Sequence, residues 1–284
     1  MKTILLLTDF SKKADHAADI ALEIAVQAEA RILLYNAFLV PEIVPIAGAA
    51  MWHDANAGLI EEDSSVRLKK LALRLKAKLD DMRSSFKPSI AYLNETGTVA
   101  DNIAKVVEKK DVWMVVMGTK GDNGISNFLF GSNAFSAIDR ANCPVLLIPE
   151  KAEFNSVKKI ALATDLQISN IKGAEFLAEF AEDFNAEIVI AHVNTEGEID
   201  DGNHQDAKQF VKQLMSTLHH VNSSYQDIQG EEVERRLEEF SLNEQVDILT
   251  VIHRRYNLLQ RIFHSSTTKM LIRHSKVPLL VLPA

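Results

Sequence analysis

Short apolar runs alternate with longer amphipathic segments along this chain. The apolar runs predict strands, which in the first half lie at 4–7, 32–38, 89–93, 112–117 and 145–148. The amphipathic segments predict helices at about 12–28, 59–84, 98–109 and 133–141. Because apolar strands alternate with helices, the pattern indicates a parallel sheet with helices on both faces. The predicted fold class is therefore α/β, with five parallel strands.

The second half of the chain repeats the pattern of the first. Residues 1–38 are matched by residues 157–194: each stretch has an apolar strand, a Thr-Asp step, an amphipathic helix and a second apolar strand. The halves also end alike, in NCPVLLIP at 142–149 and KVPLLVLP at 276–283. We therefore predict two tandem domains of one fold, residues 1–150 and 151–284, joined by a polar linker near 150–156.

The clearest chemical signal lies between Trp113 and Pro149. After the strand that ends at Met117, the chain has glycines at 118, 121 and 131, and Ser132 precedes a helix. A glycine-rich loop between a strand and a helix leaves backbone N–H groups free beside the positive end of the helix dipole, which favours a bound phosphate. Glycine permits a positive φ and the close approach of a phosphate, while Ser132 can cap the helix and donate to the same anion. The alternative is that these residues only form a turn and a helix cap.

The spacing G-x2-G-x9-G-S differs from the dinucleotide-binding G-x-G-x-x-G and from the Walker loop. Together with TDFS at 8–11 and CPVLLIP at 143–149, it resembles the ATP-binding branch of the universal stress protein family. The resemblance covers nearly the whole chain, twice. It implies two Rossmann-like domains of the adenine nucleotide alpha hydrolase type. It also implies that the nucleoside is held by Asp9 and the backbone of Ala37, and the ribose and phosphates by Gly118, Gly121, Gly131 and Ser132.

Asp9 follows the first strand, and sheets of this kind bind ligands beyond the carboxyl ends of their strands. Its carboxylate can accept a hydrogen bond from a nucleoside or meet a metal ion on the phosphates. The alternative is that Asp9 caps the first helix, alone or with Ser11, and both roles are compatible. Lys120 lies in the loop and can supply charge to the phosphates. The expected ligand is ATP or another adenine nucleotide, with or without Mg²⁺.

Signals for catalysis are weak. ATP hydrolysis needs a positioned base and neutralised charge at the γ-phosphate, and no acidic strand end of the Walker B type follows the loop. The histidines show no metalloprotease or Ser-His-Asp spacing, and His53 alone indicates no metal site. The single cysteine, Cys143, excludes an internal disulfide, and its place before Pro144 predicts a small buried hydrophobe. We expect no catalytic or metal site, and at most slow, incidental ATP hydrolysis.

The composition, with 47% hydrophobic and 25% charged residues, is typical of a soluble globular protein. The net charge of −8 comes without a concentrated basic face, which argues against nucleic acid as a partner. The apolar run at the N-terminus is too short for a signal peptide, and no later run approaches membrane-spanning length. We therefore expect a cytoplasmic protein with no membrane partner.

The sequence allows two roles for the long connection between Leu39 and Leu59. It carries Met51 and Trp52, and it starts beside the predicted site. It either folds over the nucleotide as a lid or, as we favour, forms a subunit interface or a mobile loop.

The second half departs from the pattern at the loop. Its strand at 248–252 is followed by HRRYNLLQRIFHSSTTKM, which has no glycine. Aligning Pro144 with Pro278 places Ile252 opposite Gly118, so we predict that this half does not bind ATP. Arginines and histidines surround Ser265–Thr268, where they hold a small anion or an acidic partner segment or, as we favour, form a solvated basic face.

The resemblance implies that the two domains pack about a pseudo-twofold axis through their last strands, 145–148 and 279–282, as dimers of that family do, so that one chain imitates a homodimer. A homodimer of the whole chain and an unidentified protein partner are further expectations. The predicted function is an ATP-binding regulator of the stress response that acts by binding rather than turnover. The alternative is an interaction or structural protein of the same fold that binds no nucleotide, and a nucleotide hydrolase is a weaker third.

Overall fold

The computed structural model describes residues 1–40, 49–119, 132–154, 156–166, 171–195, 203–253, 270–272 and 274–283. The elements of the first half are β1 (Thr3–Leu7), α1 (Lys12–Gln27), β2 (Arg31–Phe38), α2 (Ala49–Asp81), β3 (Ile90–Thr96), α3 (Val99–Lys110), β4 (Met114–Thr119), α4 (Ser132–Arg140) and β5 (Val145–Pro149). Those of the second half are β6 (Lys159–Ala163), α5 (Ile171–Phe184), β7 (Glu187–Asn194), α6 (Asn203–Thr217), β8 (Ser223–Gln229), α7 (Val233–Asn243), β9 (Ile248–His253) and β10 (Leu279–Pro283).

The first compact unit comprises Met1–Gly118 and Ser132–Cys143 and contains four parallel strands in the order β3-β2-β1-β4. Every residue of β1 is buried, which requires cover on both faces of the sheet. Helix α1 buries mostly alanines, and such small side chains let a helix lie close to a sheet, as predicted. The predicted α/β fold with a parallel sheet is confirmed.

The second compact unit includes Pro144 and the residues that follow it. Five of its strands are parallel, in the order β8-β7-β6-β9-β10, and β5 pairs antiparallel with the other side of β10. Leu146 of β5 lies opposite Leu280 of β10. The last strands of the two repeats thus pair with each other, and the pseudo-twofold packing of the two domains stays a prediction.

Helix α2 begins at Ala49, ten residues before the predicted start at Leu59. The predicted long connection is therefore wrong from residue 49 onward, because the alanine-rich segment before Leu59 favours helix and tolerates Gly58 within it. The side chains of Met51 and Trp52 lie outside the described residues, as do residues 41–48. Strand β3 also runs three residues further than predicted, to Thr96.

A polar side chain in the core distinguishes the two repeats. Thr250 of β9 is fully buried, and its hydroxyl has no hydrogen-bond partner in the part of the chain that the structure describes. Thr250 lies opposite Leu162 of β6, just as Val116 of β4 lies opposite Leu6 of β1. The two positions are therefore equivalent, and a buried hydroxyl without a partner costs free energy that valine does not.

Replacing Thr250 by valine is expected to raise the free energy of unfolding by about 1 kcal/mol, because the nearly isosteric side chain removes an unsatisfied polar group. Urea denaturation of the purified chain measures the change. The matched control is Val116→Thr, which introduces the same hydroxyl into the first repeat and should lower stability. A Thr250→Val variant no more stable than wild type would contradict the prediction.

Candidate functional site at the carboxyl edge of the first sheet

The carboxyl ends of β1, β2 and β4 meet at one edge of the first sheet. Leu7, the last residue of β1, lies opposite both Tyr35 of β2 and Met117 of β4. Within two residues of this row lie three of the predicted site residues, Asp9, Ala37 and Gly118. The chain goes from β1 to β2 on one side and later to β4 on the other, so the strand order reverses at β1. Ligands of open α/β sheets bind at such a point.

The turn after β1 contains the N-cap of helix α1. Ser11 is the N-cap residue, and its hydroxyl oxygen accepts a hydrogen bond from the Ala14 N–H at 3.4 Å. The Oδ1 atom of Asp9 accepts hydrogen bonds from the Ser11 N–H, at 3.0 Å, and from the Ser11 hydroxyl. Asp9 therefore supports the capping residue, consistent with the capping role predicted with Ser11. Its side chain is still 59% exposed, which leaves the carboxylate accessible to a ligand.

The carboxylate of Asp9 is held in its charged form. Partial burial raises its pKa, but the hydrogen bonds from Ser11 and the Lys13 ammonium, 3.8 Å away, lower it more, and the pKa lies below its usual value. At neutral pH this edge therefore presents a negative charge beside the start of α1. Such a group accepts hydrogen bonds from the hydroxyl or N–H groups of a ligand and repels its phosphates.

A buried polar network, which the sequence did not reveal, fixes the ends of β1 and β2. The Asn36 amide donates to the Thr8 carbonyl at 2.8 Å, and the Ser64 hydroxyl of α2 donates to the Asn36 Oδ1 atom at 2.8 Å. All three residues are buried. The network ties α2 to the strand ends directly before Asp9. A single asparagine in an apolar strand was the available signal, but its partners are far apart in sequence.

A second unpredicted contact brings a positive charge to the same turn. Phe10 adopts a φ of 60°, which is uncommon for a large side chain, and its N–H donates to the Thr8 hydroxyl oxygen at 3.0 Å. The Arg67 guanidinium of α2 lies 4.2 Å from the centre of the Phe10 ring. The cation–π contact places the Arg67 charge beside the Asp9 turn. No sequence motif marks Arg67, because it is one of many charged residues on α2.

Gly118 is needed at this edge for a reason different from the one predicted. Its φ is not positive, so the expected turn conformation is wrong for this residue. A Cβ atom on Gly118 would instead lie 2.6 Å from the Lys13 carbonyl oxygen and 3.2 Å from the Ala14 nitrogen. Backbone atoms cannot move aside as a flexible side chain can. The glycine therefore lets the end of β4 lie directly against the first turn of α1.

The remaining predicted site residues are described in part or not at all. Ala37 is half-buried in β2 and lies opposite Glu95 of β3. Helix α4 begins at Ser132, one residue earlier than predicted, and the side chain of Ser132 lies outside the described part of the chain. Three further predicted residues lie wholly outside it: Lys120, Gly121 and Gly131. Their proposed contacts with phosphates stay predictions.

The second repeat keeps the geometry of the turn after its first strand. Leu166 has a φ of 60°, and its N–H donates to the Thr164 hydroxyl oxygen at 3.0 Å, as Phe10 does to Thr8. The Nδ1 atom of His192 lies 3.0 Å from the Thr164 carbonyl oxygen, in the place that Asn36 takes in the first repeat. The two repeats therefore share the backbone geometry of this edge but differ in its side chains.

The two repeats carry a glycine in different elements, the first in strand β4 and the second in helix α5. Ile252 of β9 occupies the position of Gly118, as its register predicts. In the second repeat the glycine is Gly173 of α5, where the first repeat has Ala17 on α1. A Cβ atom on Gly173 would lie 3.8 Å from Ile252 Cδ1 and 3.2 Å from Leu282 Cδ1. In the second repeat, therefore, helix α5 lacks a side chain at Gly173, near the position where β9 has gained Ile252.

The remaining predictions concern the single cysteine, metal binding, membrane spans and the basic segment of the second half. Cys143 is buried, as predicted, and burial raises the pKa of its thiol to about 12, so the thiol is not poised as a nucleophile. Among the residues described, no group of three His, Cys, Asp or Glu side chains could hold a metal ion. None of the described helices has the length and apolar character needed to cross a membrane. The basic segment 254–269 lies outside the described residues.

Comparison with known proteins identifies both repeats. The model of the universal stress protein family matches residues 1–149 and again residues 156–283. A universal stress protein of Methanocaldococcus jannaschii is 29% identical over 147 residues, which is 52% of this chain and 81% of that protein. A universal stress protein of Thermus aquaticus is 32% identical over 148 residues, which is 52% of this chain and 98% of that protein.

A solved structure shows the same fold over the whole length. The crystal structure of a universal stress protein from Archaeoglobus fulgidus aligns with a TM-score of 0.77 and covers 99% of this chain and 98% of its own, at 15% identity. The family match to both halves, the parallel α/β sheets and the repeated Thr-Asp turn agree with one another. The chain is a tandem member of the universal stress protein family.

Proposed function

We propose that the first repeat binds ATP at the carboxyl edge of its sheet and that the protein acts in the stress response through this binding. The observation that carries the proposal is the accessible Asp9 carboxylate at the reversal of strand order, with the end of β4 held against α1 by Gly118. A charged acceptor at this point suits the hydroxyl and N–H groups of a nucleoside. The loop that would receive the phosphates follows Gly118 directly.

We further propose that the bound nucleotide is not turned over. Asp9 is a carboxylate at this edge, and it already accepts hydrogen bonds from Ser11 and lies near Lys13. A carboxylate engaged in this way supports a turn and a ligand, whereas hydrolysis needs a base that activates water at the γ-phosphate. Mg²⁺ would then be bound through the phosphates of the nucleotide rather than by a preformed protein site.

The second repeat is proposed not to bind ATP. It replaces Asn36 with His192, and Gly118 with Ile252, at the two places where the first repeat forms its edge. Its loop sequence has no glycine between 254 and 269. The second repeat would therefore contribute stability rather than a second nucleotide site.

Isothermal titration of ATP, with and without Mg²⁺, tests the proposal on wild type, Asp9→Ala and Asp165→Ala. We expect one site per chain and a roughly tenfold or greater loss of affinity in Asp9→Ala, because a hydrogen bond to a charged group contributes about 1.5–3 kcal/mol. Asp165 follows Thr164 in the equivalent turn of the second repeat, so Asp165→Ala is the matched control and should bind like wild type. Phosphate release from bound ATP should equal that of a protein-free sample.

Three other results of these measurements would contradict parts of the proposal. Two sites per chain, or a loss of affinity in Asp165→Ala, would contradict the proposal for the second repeat. Steady phosphate release that disappears in Asp9→Ala would contradict binding without turnover. No binding by wild-type protein freed of nucleotide beforehand would overturn the ATP proposal and favour an interaction protein of the same fold.

A further inference from the structure

Helix α2 has an apolar stripe on the side that faces away from its sheet. Its inner face is buried through residues that include Ser64, Leu68 and Leu75. Leu59, Val66 and Leu73, by contrast, are 64%, 59% and 58% exposed. They are spaced by seven residues and so lie on one line along about 21 Å of helix. Outward faces of surface helices are normally polar, so exposed aliphatic side chains that recur every two turns on one line indicate a contact surface.

The charges beside this stripe are divided along the helix. Acidic residues lie on its N-terminal part, where Glu62 and Asp63 are both exposed. Basic residues lie on its C-terminal part, where Lys69 and Lys70 are both exposed. Val66 lies midway between the two pairs. A helix with this division repels a parallel copy of itself and attracts an antiparallel one.

We propose that this stripe joins two copies of the chain, with α2 packed antiparallel against α2 of a second copy and the Val66 side chains meeting at a twofold axis. Leu59 then lies opposite the second copy's Leu73. The same symmetry brings Glu62 beside Lys69 and Asp63 beside Lys70 of the second copy, because residues seven apart lie on the same side of the helix and the twofold preserves that side. One surface thus complements itself in both apolar and charged positions, which is the requirement for a twofold interface.

A half-exposed tyrosine lies on the edge strand beside α2. Tyr92 of β3 is 45% exposed. It lies on the same face of the sheet as Asn94, whose amide donates to the Glu61 carbonyl and the Ser65 hydroxyl of α2, both at 3.0 Å. The aromatic ring therefore lies on the face of the sheet that α2 covers. Tyrosine is among the residue types enriched in protein interfaces.

Sedimentation equilibrium of the full chain over a range of concentrations tests the proposal. We expect wild type to dimerise reversibly, with a dissociation constant in the micromolar range because the apolar area is small. Val66→Glu places two like charges at the axis and should raise that constant at least tenfold. The matched control is Leu242→Glu, which changes an exposed aliphatic residue of α7 and should leave the constant unchanged.

Charge-reversal variants test the antiparallel register of the two α2 helices. Glu62→Lys and Lys69→Glu each create like-charge pairs across the axis and should each weaken the dimer, by several fold at low salt. The double variant restores opposite charges and should recover the wild-type constant. A wild type that stays monomeric throughout, or a dimer insensitive to Val66→Glu, would overturn the proposal. A double variant weaker than either single variant would overturn the register and with it this interface.

Discussion

Replacing Gly118 by alanine is expected to lower the free energy of unfolding by about 3 kcal/mol, at the upper end of the usual range for overpacking. The added Cβ atom would lie 2.6 Å from the Lys13 carbonyl oxygen and 2.9 Å from its carbonyl carbon. Both belong to the backbone of α1, so strand and helix must separate to make room. The midpoint of urea denaturation measures the loss.

Gly58 provides the control for this substitution. It lies within α2, and a Cβ atom there would meet no heavy atom within 4 Å. Because alanine favours helix over glycine, Gly58→Ala should raise stability by about 0.5–1 kcal/mol. The same chemical change is thus expected to have opposite signs at the two positions. A Gly118→Ala variant as stable as wild type would show that α1 and β4 are less closely packed in solution.

Replacing Asn36 by leucine is expected to lower the free energy of unfolding by about 2–4 kcal/mol. The substitution removes the donor to the Thr8 carbonyl and the acceptor of the Ser64 hydroxyl, and both partners are buried. Each buried polar group left without a partner costs about 1–3 kcal/mol. Thermal and urea denaturation measure the loss. Because Thr8 precedes Asp9, we also expect weaker ATP binding if the proposed site is correct.

A double-mutant cycle with Ser64→Ala isolates the contribution of the network. The single variant Ser64→Ala should cost less than Asn36→Leu, because it removes one hydrogen bond rather than two. The double variant should cost less than the two single changes together, since the Ser64 hydroxyl is no longer buried without its partner. Additive effects would mean that Asn36 and Ser64 do not act as one network.

The strands and the repeat were predictable because apolar periodicity and self-similarity can be read directly from the sequence. The start of α2 was not, because alanines before Leu59 and the glycine within the helix give opposing local signals. Asp9 and Gly118 were placed at the correct edge by their positions after β1 and in β4. The contacts of Asn36 with Ser64, and of Phe10 with Arg67, join residues distant in sequence, so no local pattern could predict them.

The glycine exchanged between strand and helix also limits how the second repeat could change. Ile252→Gly alone would leave an unfilled volume beside Gly173, and cavities of this kind are costly. Gly173→Ala alone would press on Leu282, 3.2 Å away. Ile252→Gly by itself is therefore destabilising, and adding Gly173→Ala would not offset the loss without a shift of Leu282. A glycine edge like that of the first repeat would therefore cost the second repeat stability, and grafting a loop onto that repeat would not remove the cost.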